Sequence, residues 1–257
     1  MIEIKDLTFQ YPNQTPVFEG FHWQVHPGEA WAVLGPSGCG KSTLLYLLAG
    51  LRHPSEGEVK VGGVPLSKPR PQTGLILQDY GLLPWATVQE NASLGLRIRR
   101  FYGPDGRHAP RDEAVQDVQR PAEYWLERLG LTEMAGKFPG QLSGGQRQRT
   151  AIARTLALAP DLLLMDEPFA SLDAPTRQSL GELIRSLRHE HHLTTIIVTH
   201  AIEEAAILGE RILVLGQPPN RHPQVVENPR AAAPDFIQTT EYQQVCAQLR
   251  RMLEVAR

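Results

Sequence analysis

Ala30-Trp31-Ala32-Val33-Leu34-Gly35-Pro36-Ser37-Gly38-Cys39-Gly40-Lys41-Ser42-Thr43 is the stretch that decides the fold. Its first part, Ala30 to Leu34, is almost wholly apolar, the pattern of a short strand buried on both faces. The remainder fits the phosphate-binding pattern G-x-x-x-x-G-K-[ST]. Glycines let the backbone curl until successive N–H groups face one concavity, and a helix starting there adds its own unpaired amides. A helical pattern from Ser42 to Leu51 supplies that helix. The ligand implied is a nucleoside triphosphate, with the backbone of Gly35, Pro36, Ser37, Gly38, Cys39 and Gly40 around its phosphates. Lys41 is expected to reach the β- and γ-phosphates, Ser42 to ligate Mg2+, and Thr43 to donate toward the α-phosphate. A small nucleotide kinase would use the same loop, so the loop alone does not choose the machine.

Outward from this loop, the order of elements follows from periodicity. Ile2, Ile4 and Phe9 suggest an opening half-buried strand, with further strands at Val17 to Phe21 and Gly57 to Val61. Leu162 to Met165 and Thr195 to Val198 repeat the buried-strand pattern, each followed by polar residues and a helical stretch. Strands alternating with helices imply a parallel sheet covered on both faces, with ligands at the carboxyl ends of its strands. Val88 to Pro160 reads as mostly helical and is expected to form a separate lobe. Tyr102 to Pro121, rich in Gly, Pro and charge, reads as an exposed excursion, and Gln217 to Pro234 as a Pro-rich connection. Phe236, Tyr242, Val245, Leu249, Met252 and Leu253 recur at helical spacing. That pattern gives a closing helix packed on its own domain, with a dimerisation surface as the alternative.

Leu162-Leu163-Leu164-Met165-Asp166-Glu167 runs an apolar strand into two adjacent acids. At a strand end beside a phosphate cradle, Asp166 is placed to hold Mg2+ and Glu167 to polarise an attacking water as general base.

Leu142-Ser143-Gly144-Gly145-Gln146-Arg147-Gln148-Arg149 names the family. Ser143 stands where an N-cap would, and the helical run behind it stops at Pro160. The glycines leave bare N–H groups at that helix start, a second anion site. With this segment, the sequence resembles the ABC ATPases. The resemblance implies an α/β P-loop NTPase core with an N-terminal antiparallel β subdomain and an inserted helical subdomain. It also implies that Ser143, Gly144, Gly145 and Gln146 serve ATP bound to the opposite subunit of a head-to-tail homodimer. Tyr11 matches the family's adenine-stacking aromatic, and Gln78 the glutamine that senses Mg2+ and water. Ser171-Leu172-Asp173 matches the loop crossing the dimer interface, and His200 the histidine that contacts the γ-phosphate. Catalysis thus falls to Glu167, His200 and Gln78, metal binding to Ser42, Gln78 and Asp166, and the cofactors are ATP and Mg2+.

Gln78-Asp79-Tyr80-Gly81-Leu82-Leu83-Pro84-Trp85, with Thr87-Val88 and Asn91, looks like the ATPases of nitrate, sulfonate, taurine and thiamine-precursor importers. Phe169-Ala170-Ser171 departs from the commoner Phe-Gly-Ala of that group. The implied partners are transmembrane permease subunits and a periplasmic or extracellular solute-binding protein, with the chain peripheral on the cytoplasmic face of the membrane. An exporter subunit remains the alternative. An apolar cluster at Leu82, Leu83 and Trp85 either caps the domain's own core or docks a permease helix. The ATPase domain is expected over residues 1–230, its helical part over about 79–160, and a closing helix over 231–257.

Composition removes other classes. A formal net charge of -2 gives no electrostatic reason for nucleic acid as a partner. Two cysteines far apart, Cys39 and Cys246, do not form a disulfide framework and fit a reducing compartment. Met1 to Asp6 lacks the basic start and apolar run of a signal peptide, and no apolar stretch approaches the roughly 18 residues of a membrane span. His189-Glu190-His191-His192 reads as a solvated turn rather than a metal cluster, and Arg97, Arg99 and Arg100 as a solvated helix face. Cys39, at a helix start that could lower its thiol pKa, reads as a permissive small residue.

Overall fold

The structure is a computed structural model that describes residues 1–102, 117–170, 172–231, 233 and 235–255. Its contacts divide into two units: residues 1–70, 162–168 and 181–257, and residues 71–161 with 169–180. Most of the excursion expected between Tyr102 and Pro121, and Ser171 of the interface loop, lie outside the described residues.

The first unit carries two sheets. β1 (Ile2–Gln10), β2 (Pro16–Val25), β4 (Glu56–Val61) and β5 (Val64–Pro65) pair antiparallel in the order β2-β1-β4-β5. Along β1, Ile2, Ile4, Leu7 and Phe9 are buried, so the period-two alternation slips by one residue. A register shift between Ile4 and Leu7 absorbs the slip, with Asp6 at φ 49°. Gly57 passes directly over this bulge; a Cβ there would sit 2.3 Å from the Asp6 carbonyl oxygen.

The second sheet of this unit holds the strand read from the opening stretch. β3 (Ala30–Leu34) is buried at every position and pairs in parallel with β8 (Thr194–Thr199) and β9 (Arg211–Val214). β7 (Leu162–Asp166) extends it in parallel on β8, and β10 (Gln224–Glu227) closes it antiparallel on β9. β10 lies within the stretch read as a plain connection, because a four-residue strand with one buried residue leaves little periodic signal. α1 (Lys41–Leu48) is shorter than the helix expected to Leu51, since Gly50 takes φ 71°. α6 (Ile202–Leu208) packs on β3 and β8, and α7 (Thr240–Val255) on α6 and β9. α7 lays Tyr242, Val245, Cys246, Leu249, Met252 and Leu253 on a cluster with Ala32, Leu34, Ile212 and Val214. Its start is capped by Thr239, whose hydroxyl oxygen accepts the Tyr242 N–H at 3.2 Å.

β6 (Thr73–Ile76), α2 (Val88–Tyr102), α3 (Arg120–Arg128) and α4 (Gly144–Leu156) belong to the second unit, with short 3-10 turns at Thr132–Met134 and Pro139–Gln141. α2 opens on a reciprocal cap: Glu90 N–H donates to the Thr87 hydroxyl at 3.2 Å, and Thr87 N–H to the Glu90 carboxylate at 2.7 Å. The three helices pack pairwise around Val88, Ala92, Leu96, Trp125, Leu126 and Ile152.

Two surface readings are corrected. α5 (Ala174–His191) runs through the histidine cluster, so only His192, at φ 51°, lies in the turn beyond it. Arg99 is not a solvated member of its helix face. Its guanidinium donates to the Leu158 carbonyl at 3.0 Å and to that of Pro71, and burial pulls its pKa down.

Candidate functional site

The loop between β3 and α1 closes tightly on its own atoms. A Cβ on Gly35 would lie 2.6 Å from Cys39 Sγ and 2.7 Å from the Leu215 carbonyl oxygen, so no side chain fits there. Gly40 takes φ 107°, and a Cβ would meet Val17 at 2.4 Å. Lys41 is only 6% exposed, and its Nζ donates to the carbonyls of Gly35 and Pro36 at 2.8 Å each. The loop is thus wound around its own ammonium, with Ser37 and Gly38 exposed at the tip. A glycine-rich loop at a helix start with a cation held inside it suits an oligophosphate. Thr43 Oγ1 shares a 3.1 Å hydrogen bond with the Tyr11 hydroxyl. The Tyr11 ring packs edge-on to Phe9 and lies 5.8 Å from the Arg52 guanidinium.

Cys39 does not gain the lowered thiol pKa that a helix start could give, and sits as a small packed residue. It is fully buried, and burial raises its thiol pKa, outweighing the lowering influence of Lys41 and backbone N–H groups. It is an inert packing thiol in this environment.

β7 delivers Asp166 to the same place. The Ser42 hydroxyl donates to Asp166 Oδ1 at 3.3 Å, and Asp166 is 5% exposed. Burial raises the Asp166 pKa, with the charge of Glu167 adding to the rise and Ser42 and Lys41 opposing it. A desolvated carboxylate next to a hydroxyl is a hard-oxygen donor set suited to a small divalent cation that keeps other ligands. Glu167 follows in the left-handed region at φ 44°, its N–H held by the Val198 carbonyl at 2.8 Å. That turn sets Glu167 Oε1 2.9 Å from Nδ1 of His200, just past the end of β8. The first unit thereby gathers Tyr11, the loop, Ser42, Asp166, Glu167 and His200.

Ser143, Gly144, Gly145, Gln146 and Gln78 lie in the second unit. Ser143 caps α4 by accepting the Gln146 N–H at 3.3 Å, and the Gln146 side chain accepts the Ser143 N–H at 2.9 Å. Gly145 is fixed by space, since a Cβ would meet Thr176 at 2.6 Å. Gln78 is exposed in the turn after β6. Beyond it, Tyr80 and Gly81 both take positive φ, 66° and 55°, and Arg154 of α4 donates to their carbonyls at 2.7 and 2.5 Å. Asn91 ties the following loop by accepting from Leu83 N–H at 2.8 Å and donating to the carbonyls of Leu83, Ala86 and Thr87. Arg154 gave no sign of this duty in the sequence, where it is one more basic residue on a helix.

The loop so held exposes Trp85 at 73% and lines a groove of about 500 Å³ with Leu83, Leu94, Ile98, Phe101 and Tyr102. Leu82 does not line it. Among the described residues no helix is long and apolar enough to cross a membrane, and no group of three or more His, Cys, Asp and Glu could hold a metal.

The family description "ABC transporter" matches residues 18–170. A taurine import ATP-binding protein of Chromobacterium violaceum is 40% identical over 216 residues, 84% of this chain and 78% of that protein. A bicarbonate transport ATP-binding protein of Synechocystis is 37% identical over 222 residues, 85% of this chain and 75% of that protein. The dimeric, post-hydrolysis structure of an ATP-binding cassette with ADP and Pi superposes with a TM-score of 0.73 at 30% identity, covering 88% of this chain and 98% of that one. The chain therefore belongs to the ABC transporter family as one of its ATP-binding, ATP-hydrolysing subunits.

Proposed function

We propose that the chain powers import of a small solute carrying an acidic oxyanion, of the sulfonate or carbonate kind, by closing as an ATP-bound homodimer against permease subunits. The relatives that carry this are named for taurine and bicarbonate transport, and both solutes bear such a group. A solute-binding protein outside the membrane would hand the solute to the permease, and this chain would sit at the cytoplasmic face.

In this reading Tyr11 stacks on adenine, the loop from Gly35 to Thr43 holds the phosphates, and Lys41 turns from its two carbonyls to the β- and γ-phosphates. Ser42 and Asp166 would hold Mg2+, which when bound offsets the charge of the β- and γ-phosphate oxygens. Ser143, Gly144, Gly145 and Gln146 of the second subunit complete the site. Glu167 accepts a proton from water as its oxygen attacks the γ-phosphorus, the bond to the β-phosphate oxygen breaks, and ADP and phosphate result. His200 keeps the Glu167 carboxylate oriented and faces the γ-phosphate.

The observation that supports this most is the 2.9 Å contact between Glu167 and His200 directly after the buried Asp166. Glu167→Gln keeps the shape but cannot take the proton. Turnover should fall by about 10²-fold or more, while MgATP binding persists and an ATP-bound dimer accumulates on size exclusion. Wild-type turnover in this variant would remove Glu167 from the role of base.

A further inference from the structure

The segment after β9 runs along the back of the phosphate loop and touches it at both ends. Leu215 donates its N–H to the Leu34 carbonyl at 2.8 Å, and its own carbonyl oxygen abuts Gly35. Five residues on, Asn220 is 7% exposed and fully engaged. Its Oδ1 accepts the Gly216 N–H at 3.0 Å, and its Nδ2 donates to the carbonyls of Cys39 at 2.8 Å and Val17 at 3.2 Å. Its backbone bridges β2, with N–H to the Val17 carbonyl at 2.9 Å and carbonyl to the Glu19 N–H at 3.1 Å.

The bond to Cys39 has a consequence for the cradle. A trans peptide is planar, so the Cys39 carbonyl and the Gly40 N–H point in opposite directions. Gly40 sits at φ 107° as the N-cap of α1, where the absence of a side chain leaves the peptide free to flip. We propose that Asn220 is a positioning residue for nucleotide binding: by anchoring the Cys39 carbonyl behind the loop, it aims the Gly40 N–H into the phosphate cradle. β2 and the segment after β9 hold Asn220 in place, so the cradle is aimed by a residue about 180 positions away in sequence, from Cys39 to Asn220. Without the anchor, the loop samples orientations with this N–H turned away, and each must be reversed before ATP binds.

This inference rests on the loop being the ATP site, so the test separates the two. Asn220→Ala should raise the Kd for MgATP about tenfold by titration calorimetry. KM should rise with it while kcat at saturating ATP stays near wild type, a split that a loosened core would not give. Asn228→Ala is the matched control. Asn228 is 2% exposed and donates to the carbonyls of Ala206 and Gly209 at 2.7 and 2.8 Å, away from the loop, so its loss should lower the melting temperature without moving the Kd. Asn220→Asp, which keeps the acceptor for Gly216 but has no N–H for Cys39, gives the same reading if the alanine variant does not fold. A Kd within twofold of wild type in either folded Asn220 variant, or equal weakening in Asn228→Ala, overturns the role of Asn220. ATP affinity unchanged in Lys41→Ala would instead overturn the cradle itself.

Discussion

α1 and α4 both begin on glycine and a hydroxyl residue, and the chain finishes the two helix starts differently. At α1 the N-cap is Gly40, which has no side chain to offer the first-turn amides. At α4 Ser143 and Gln146 satisfy each other's backbone N–H groups. A glycine N-cap falls short of a serine one by roughly a few tenths of a kcal/mol, so the bare start at α1 forgoes only a little of the stability that α4 keeps. What α1 gains is a set of N–H groups free for a phosphate, with Lys41 already among them. α4 keeps only the amides of Gly144 and Gly145 and the hydroxyl hydrogen of Ser143, a lesser donor set. One start can hold an oligophosphate alone; the other suits finishing a site that something else has begun.

The sharpest way to break that comparison is to disable each start in a separate protein. Ser143→Arg should abolish turnover while leaving MgATP affinity of the single chain near wild type. Lys41→Ala should lose ATP affinity itself. Mixed together, they should regain activity, because a heterodimer carries one intact Lys41 loop facing one intact Ser143 helix. Rates measured across mixing ratios decide it, and a flat, inactive profile would mean that the two starts never share a nucleotide.

Both units bury aromatic side chains, Tyr80, Trp125 and Phe169 among those of the second, but among the described residues the strongly exposed ones all belong to the second. Phe18, Phe21, Trp31 and Phe236 of the first are at most 2% exposed, whereas Trp85, Phe101, Tyr102, Tyr124 and Phe138 of the second are 44% exposed or more. An aromatic-lined groove beside a rigidly tied loop is the kind of surface that waits for a partner. Trp85→Ala should therefore leave the melting temperature and basal turnover nearly unchanged, and weaken association with detergent-solubilised permease by about 2 kcal/mol. A sharp loss of thermal stability with undiminished assembly would place Trp85 in the protein's own core and the docking face elsewhere.

Which parts were legible in the sequence follows from the kind of signal each carries. β3, β7 and β8 are continuous apolar runs, and the loop from Gly35 to Thr43 needs glycine and lysine at fixed spacing, so both could be read directly. Asp166 and Glu167 were placed because a strand end fixes where the next two side chains emerge. The missing pieces act through backbone carbonyls. Asn220 holds Cys39, and Arg154 holds Tyr80 and Gly81, yet any polar side chain with the right reach could do so, and no spacing rule joins positions so distant. β10 and the end of α5 were misread because short or strongly polar stretches carry little periodicity.

The smallest expected effect concerns the energetic cost of the buried Asp166 carboxylate. Asp166 is held in a buried place where its carboxylate is poorly solvated, and its pKa is raised above that of an unfolded aspartate, first by burial and then by Glu167. Between the unfolded and folded values the native state binds the extra proton, so stability falls as pH rises through that window and is flat above it. Above that window the nucleotide-free protein carries the ionised, buried Asp166 carboxylate as a destabilising feature, one that the proposed binding of a cation there would offset. Asp166→Asn keeps the shape and the acceptor for the Ser42 hydroxyl while removing the charge. Without nucleotide it should melt above wild type at pH values beyond the window. The gap should shrink as pH drops through the window, because wild-type Asp166 then takes up its proton. MgATP should stabilise wild type and leave the variant nearly unmoved, reversing their order. Calorimetric scans with and without MgATP at several pH values measure all three. A variant that melts below wild type without nucleotide would mean that the Ser42–Asp166 pair holds the fold together rather than costing it stability.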